Sequence, residues 1–238
     1  MDSMNGILNI NKPPGMTSHD VVVLARRRLR MRKIGHGGTL DPQAKGVLLL
    51  LVGKATKISQ FLRELEKEYI ARMRFGAVTL TQDAWGKILQ EREAGRVDLG
   101  MVKRVIPRFL GRIKQIPPAF SAIHHNGRRL YELAREGTIV KPSPRMVNIY
   151  KIEPLRFYEG QRPEFEFRVI CGSGTYIRTL CHDLGASVGV GGYLISLTRT
   201  RIGPYRISSS IDLEGISQEK LSPVDEILSY IYQLEVYG

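Results

Sequence analysis

The stretch GHGGTLDPQAKG (residues 35–46) places one carboxylate, Asp41, between His36 and Lys45 in a glycine-rich setting. The chain around it is strongly basic. Of its 238 residues, 36 are Lys or Arg and 23 are Asp or Glu, a formal net charge of +13. An Asp-Pro pair by itself starts a turn. The neighbours of Asp41 argue for more. Gly35, Gly37 and Gly38 allow a ligand to approach the backbone closely, and Pro42 fixes the chain direction just after the acid. In a protein that attracts polyanions, such a carboxylate must be held back from phosphate, paired, or used in chemistry.

Other spacings narrow the chemistry. Arg26, Arg27, Arg28, Arg30, Arg32 and Lys33 form a run with no acid among them. Such a run repels itself, and phosphate groups would relieve it. Arg128, Arg129, Lys141, Arg145, Arg199 and Arg201 are candidates to extend this basic surface. The segment GKAT (53–56) fails as a phosphate-binding P-loop, because its glycine spacing is wrong and Ala55 stands where Ser or Thr is required. The five histidines show no zinc-protease or zinc-finger spacing. Cys171 and Cys181 suggest neither a metal cluster nor a disulfide framework. A reduced, cytoplasmic protein is therefore expected. No apolar run is long enough for a membrane-spanning helix, and the N-terminal residues lack the pattern of a secretory signal. The charge favours nucleic acid as partner over an anionic membrane.

The elements that must position these residues read as follows. Ile7–Ile10 is a short strand stopped by Pro13-Pro14-Gly15. Thr17 and Asp20 form a capping box for a helix from about Ser18 to Met31. The apolar run 46–53 is a buried strand, residues 54–64 are helical, and KEYIARMRFG alternates as a strand. Asp98 caps a helix reaching about Phe109. IPPAFSAI is extended, Asn126-Gly127 signals a hairpin, and LYELAREG is a short helix ended by Gly137. Strands follow near 145–157, 164–171 and 193–202. Between the last two, Ile177, Leu180 and Leu184 keep helical spacing. Residues 217–233 are helical. Strands and helices interleave unevenly, which predicts one mixed unit of the α+β class.

The motifs KPPGMTS, GHGGTLDPQAKGVL, GKATK, KEYIARMRFG and GTYIRTLCHDLG, in this order, resemble the bacterial tRNA pseudouridine synthase B family. The resemblance extends from about Asn5 to the final helix. It implies the pseudouridine synthase fold, a mixed and largely antiparallel sheet flanked by helices with a central active-site cleft. It also implies conversion of uridine 55 in the TΨC loop of tRNA to pseudouridine, on a flipped base and without a cofactor. Asp41 matches the nucleophile, and attack on the sugar, attack on the base and stabilisation of a cationic sugar all remain open routes. Arg178 matches a fork-shaped partner that favours the charged carboxylate. Tyr69 matches the family's active-site tyrosine, a catalytic residue whose ring would lie under the base and whose hydroxyl could also serve in proton transfer. Ile177 and Leu197 match apolar walls of the uracil site.

Further RNA contacts are implied for His36, Lys12, Tyr176, Asp83, Lys57, Arg26, Arg27 and Arg30. Of these, His36 supports displaced bases and Lys12 orders the N-terminal strand. The chain departs from the family where T-D-T-x-D-x-x-G becomes TLTQDAWG (79–86), with Leu80 in place of the first acid and Trp85 beside Ala84. The sequence stops at Gly238, about where the family continues into a small RNA-binding PUA domain. A single catalytic domain over 1–238 is expected, with that further domain absent or truncated. The expected partner is the TΨC stem-loop of tRNA and the expected state a monomer. A tRNA-binding chaperone on the same fold is the competing reading.

Overall fold

A computed structural model describes residues 4–125 and 127–237. Along the chain lie β1 (Gly6–Lys12), α1 (Ser18–Arg28), β2 (Ile34–His36), β3 (Lys45–Val52), a 3-10 turn (Gly53–Ile58), α2 (Ser59–Glu64) and β4 (Lys67–Phe75). Next come β5 (Ala77–Thr79), β6 (Ile88–Glu91), α3 (Leu99–Val105), β7 (Gly111–Gln115), β8 (His124–His125), β9 (Arg128–Arg129), α4 (Leu130–Arg135), β10 (Arg145–Tyr158) and β11 (Glu164–Cys171). The chain closes with α5 (Ile177–Val188), β12 (Gly192–Ile202), β13 (Tyr205–Arg206) and α6 (Val224–Tyr237). It divides into two compact units. The first takes the chain up to Tyr69 and again from Leu197; the second spans Ile70–Ser196.

The first unit is organised by β3. Its sequence KGVLLLLV is apolar on both faces because both are covered. Leu48, Leu50 and Val52 join Leu8 and Ile10 of β1 and Val21, Val22 and Ala25 of α1 in one core. Val47, Leu49 and Leu51 join Ile7 of β1, Leu62 of α2 and Ile227 of α6 in another. The antiparallel register Ile7↔Leu51 to Ile10↔Leu48 sets which residues share a face. On its other side β3 pairs antiparallel with β2 at its end and parallel with β12 at its start.

Helix α1 carries the expected capping box at Thr17 and Asp20 but ends at Arg28, three residues before the predicted Met31. The N–H of Met31 donates to Arg26 O and that of Arg30 to Arg27 O. This is a Schellman closure, with Arg30 at φ 50 where glycine is usual. Helix α6 starts at Val224 rather than near 217. The preceding segment is tied down by Ser222, which exchanges backbone hydrogen bonds with Ile7.

In the second unit, β10 lies between β11 and β7, antiparallel to both. Phe165, Phe167 and Val169 alternate into the core from β11. Asp98 caps α3, which gives way to a 3-10 turn at Ile106–Phe109. β5 and β6 form a hairpin that the sequence reading lacks, and β7 occupies another stretch it left unassigned. The β8–β9 pairing stands where a hairpin is expected, although Asn126 lies outside the described residues. The fold class is α+β, with largely antiparallel pairing and flanking helices, as expected. Among the described residues, no helix is long and apolar enough to cross a membrane.

Candidate active site

Asp41 lies in the connection between the antiparallel strands β2 and β3. Every carbonyl from Gly38 to Pro42 is held. Arg199 donates through Nη2 to Gly38 O at 3.2 Å and through Nη1 to Thr39 O at 3.2 Å. Its Nε reaches Val47 O at 2.7 Å, on the far side of the loop. The Ser18 hydroxyl donates to Leu40 O at 3.0 Å and accepts from Leu40 N at 2.8 Å. Asp41 O accepts from Ala44 N at 3.1 Å. Pro42 O accepts from Lys12 Nζ at 3.0 Å and from Gly15 N at 2.9 Å.

Two of these donors are buried cations. Lys12 is 0% exposed and Arg199 2%. A buried charge is tolerated only when its hydrogen-bonding capacity is met. The three ammonium protons of Lys12 match three carbonyls, those of Pro13, Met16 and Pro42. Burial, reinforced by the nearby Arg199 charge, lowers the Lys12 pKa to about 8, while Asp41 and Asp20 oppose the shift. Lys12 thus braces the Asp41 loop from inside, a place that keeps its ammonium away from solvent. Arg199 corrects the sequence reading, which counted it with the basic surface. Arg201 corrects it too, since its guanidinium is mostly covered and pairs with Glu66 at 2.5 Å. A cation read along a sequence looks like surface, but strand pairing puts Arg199 opposite Gly46, inside the sheet.

Among the remaining candidates of the first unit, Tyr69 and Leu197 are both buried, each 8% exposed. Tyr69 takes an inward position in the strict alternation of β4. His36 ends β2, half-buried, at the start of the Asp41 loop. Arg27, Arg30 and Lys57 are exposed, whereas Arg26 is half-buried and donates to Ile34 O at 2.8 Å.

The second unit positions Arg178 at the start of α5. The residue is 6% exposed, and its guanidinium donates to Thr81 O at 3.1 Å and Phe120 O at 3.0 Å, with the Asp83 carboxylate 3.8 Å from Nη1. Asp83 is itself fixed. It accepts from the Thr81 hydroxyl and from Trp85 N at 3.1 Å. Gln115 is a positioning residue that the motifs do not reveal. Its amide accepts from Tyr176 N at 2.8 Å and donates to Tyr176 O at 3.0 Å, so it pins the residue that opens α5. Ile177 follows, 3% exposed. The structure therefore joins Lys12 to the Asp41 loop, and Asp83 to Arg178.

The chain matches the family model described as TruB family pseudouridylate synthase (N terminal domain) over residues 26–177. It matches tRNA pseudouridylate synthase B C-terminal domain over residues 178–230. It is 49% identical over 218 residues to the tRNA pseudouridine synthase B of Gloeothece citriformis, covering 92% of this chain and 70% of the relative. The protein of the same name from Symbiobacterium thermophilum is 45% identical over 217 residues, covering 91% and 73%. Among solved structures, a chain in a crystal structure of a Cbf5-Nop10-Gar1 complex superposes with a TM-score of 0.73 at 31% identity. That match covers 95% of this chain and 62% of the other, so the chain spans less than two thirds of that structure's length.

Proposed function

Since the chain belongs to the TruB family of pseudouridylate synthases, we propose that it isomerises uridine 55 in the TΨC loop of tRNA to pseudouridine. Its relatives named tRNA pseudouridine synthase B support tRNA as the substrate. The reaction breaks the bond from N1 of uracil to C1′ of the ribose, turns the base over, and joins C5 to C1′. The hydrogen on C5 leaves as a proton and N1 gains one, so atoms and electrons balance without an oxidant or a second substrate.

In this reading the uridine is everted from its stack and Asp41 is the nucleophile. Arg178 is its guanidinium partner. The Tyr69 ring lies under the base and Ile177 and Leu197 wall it off from water. His36 supports the displaced neighbours, and Arg27, Arg30 and Lys57 meet phosphates. Both compact units serve one catalytic domain, acting as a monomer on cytoplasmic tRNA. The observation that carries the proposal is the Asp41 loop, whose consecutive carbonyls from Gly38 to Pro42 are all held. A carboxylate on so fixed a backbone is preorganised for attack.

The test is incubation of an unmodified tRNA transcript with the protein, nuclease digestion and chromatographic separation of pseudouridine. One pseudouridine per transcript is expected, and none from a transcript carrying cytidine at position 55. Formation of none from the first transcript refutes the proposal; equal formation from both refutes the position.

A further inference from the structure

The motif at 79–86 leaves one residue without a role. Trp85 is the protein's one tryptophan and it stands 56% exposed. The turn that carries it, between β5 and β6, is tightly built. Gln82 sits at φ 63, a conformation a residue with a side chain rarely adopts. Its backbone is held by Leu194, whose N–H donates to Gln82 O at 3.1 Å, and its side chain accepts from Thr179 at 2.8 Å. Ala84 N donates back to Leu194 O at 2.9 Å. A Cβ on Gly86 would lie 2.2 Å from the Thr81 hydroxyl, so the turn closes on itself directly after Trp85.

The backbone is thus fixed while the indole projects into water. The apolar exposure continues along β6, with Ile88 44% and Leu89 59% exposed, and Lys87 just before them is exposed too. The same turn touches Arg178 twice, through Thr81 O and through the Asp83 carboxylate. An exposed aromatic on a rigid backbone, two residues from the exposed Lys87 in a protein of charge +13, suits an unpaired nucleobase, because every base offers a π-face and the ring loses little freedom on stacking.

We propose that Trp85 is a stacking platform for an unpaired base of the RNA substrate, a contact in addition to the uridine site. This rests on the assignment of RNA as substrate. The contact contributes affinity and leaves the chemical step alone.

Because the protein has one tryptophan, its emission reports this position. Wild-type protein is titrated with a TΨC stem-loop RNA and with a blunt duplex of the same stem, and binding is followed independently by filter retention. Quenching by the stem-loop and not by the duplex is expected. Trp85→Ala should bind the stem-loop about tenfold or more weakly, Trp85→Phe should retain most of the affinity, and both should keep the wild-type single-turnover rate at saturating RNA. Unchanged emission at saturation, or an Ala variant that binds as tightly as wild type, overturns the proposal. So does self-association of the wild type that Trp85→Ala abolishes while RNA affinity stays the same. Quenching by a stem-loop that yields no pseudouridine would refute the reaction and leave the base contact standing.

Discussion

Arg199 reaches beneath the Asp41 loop and donates its Nη1 to the Thr39 carbonyl at 3.2 Å, two residues before the carboxylate. With its bonds to Gly38 and Val47, one guanidinium fastens both ends of the loop. Replacing it with lysine keeps a charge but loses the fork that meets three carbonyls. Arg199→Lys is expected to lower the single-turnover rate about 100-fold while stem-loop affinity stays near wild type. The rate is measured well below the melting temperature, with circular dichroism confirming the folded state. A rate equal to wild type would show that the clamp does not position Asp41.

Gly46 faces Arg199 across the parallel β3–β12 pair. It adopts φ 105, and a Cβ there would lie 2.2 Å from Arg199 O. Neither backbone can yield without breaking the pairing. Gly46→Ala should destabilise the protein by about 3 kcal/mol, the sum of left-handed strain and overpacking. Urea unfolding measures this, and a loss under about 1 kcal/mol would show that the strands separate at little cost.

Lys12 makes stability depend on pH in a known direction. Its pKa is lowered from 10.5 to about 8 in the folded protein. Below pH 8 both folded and unfolded chains keep the proton. Between pH 8 and 10.5 the unfolded chain binds the proton that the folded one has released, so stability from this group rises with pH. The difference in unfolding free energy between wild type and Lys12→Met should therefore shift in favour of wild type across that interval. A constant difference from pH 7.5 to 10 would contradict a buried, depressed lysine.

Gln115 tests the second unit. Replacement by leucine removes both bonds to the Tyr176 backbone, while Tyr176 O keeps the bond from Leu180 N. Losing hydrogen bonds of this kind costs roughly 1–3 kcal/mol. Gln115→Leu should lose about 2 kcal/mol of stability in urea unfolding and turn over more slowly, because the start of α5 carries Ile177 and Arg178. Full stability and activity would mean that α5 needs no such anchor.

Much of the fold was legible because its signals are local. The capping box at Thr17 and Asp20, the alternation in β4 and the two-faced apolar run of β3 each report their element within a few residues. The early end of α1 was not, because an arginine fills the left-handed position that glycine normally marks. The hairpin of β5 and β6 escaped for lack of buried alternation, since all of β6 is exposed. For the candidate site, motif likeness named Asp41, Tyr69 and Arg178. The brace around Asp41 was hidden for a different reason. Arg199 and the Val47 carbonyl it binds lie 152 positions apart in the chain, and nothing near Arg199 distinguishes it from a surface cation. Only the pairing of β3 with β12 buries it.

Asp41→Asn removes the carboxylate on which the proposed isomerisation depends. The decisive measurement is single-turnover release of tritium, at saturating RNA, from a stem-loop whose only 5-tritiated uridine is at position 55, comparing wild type with this variant. Full release by wild type and none above background by the variant is expected, although the variant still binds the stem-loop. Release by Asp41→Asn at the wild-type rate would contradict that dependence.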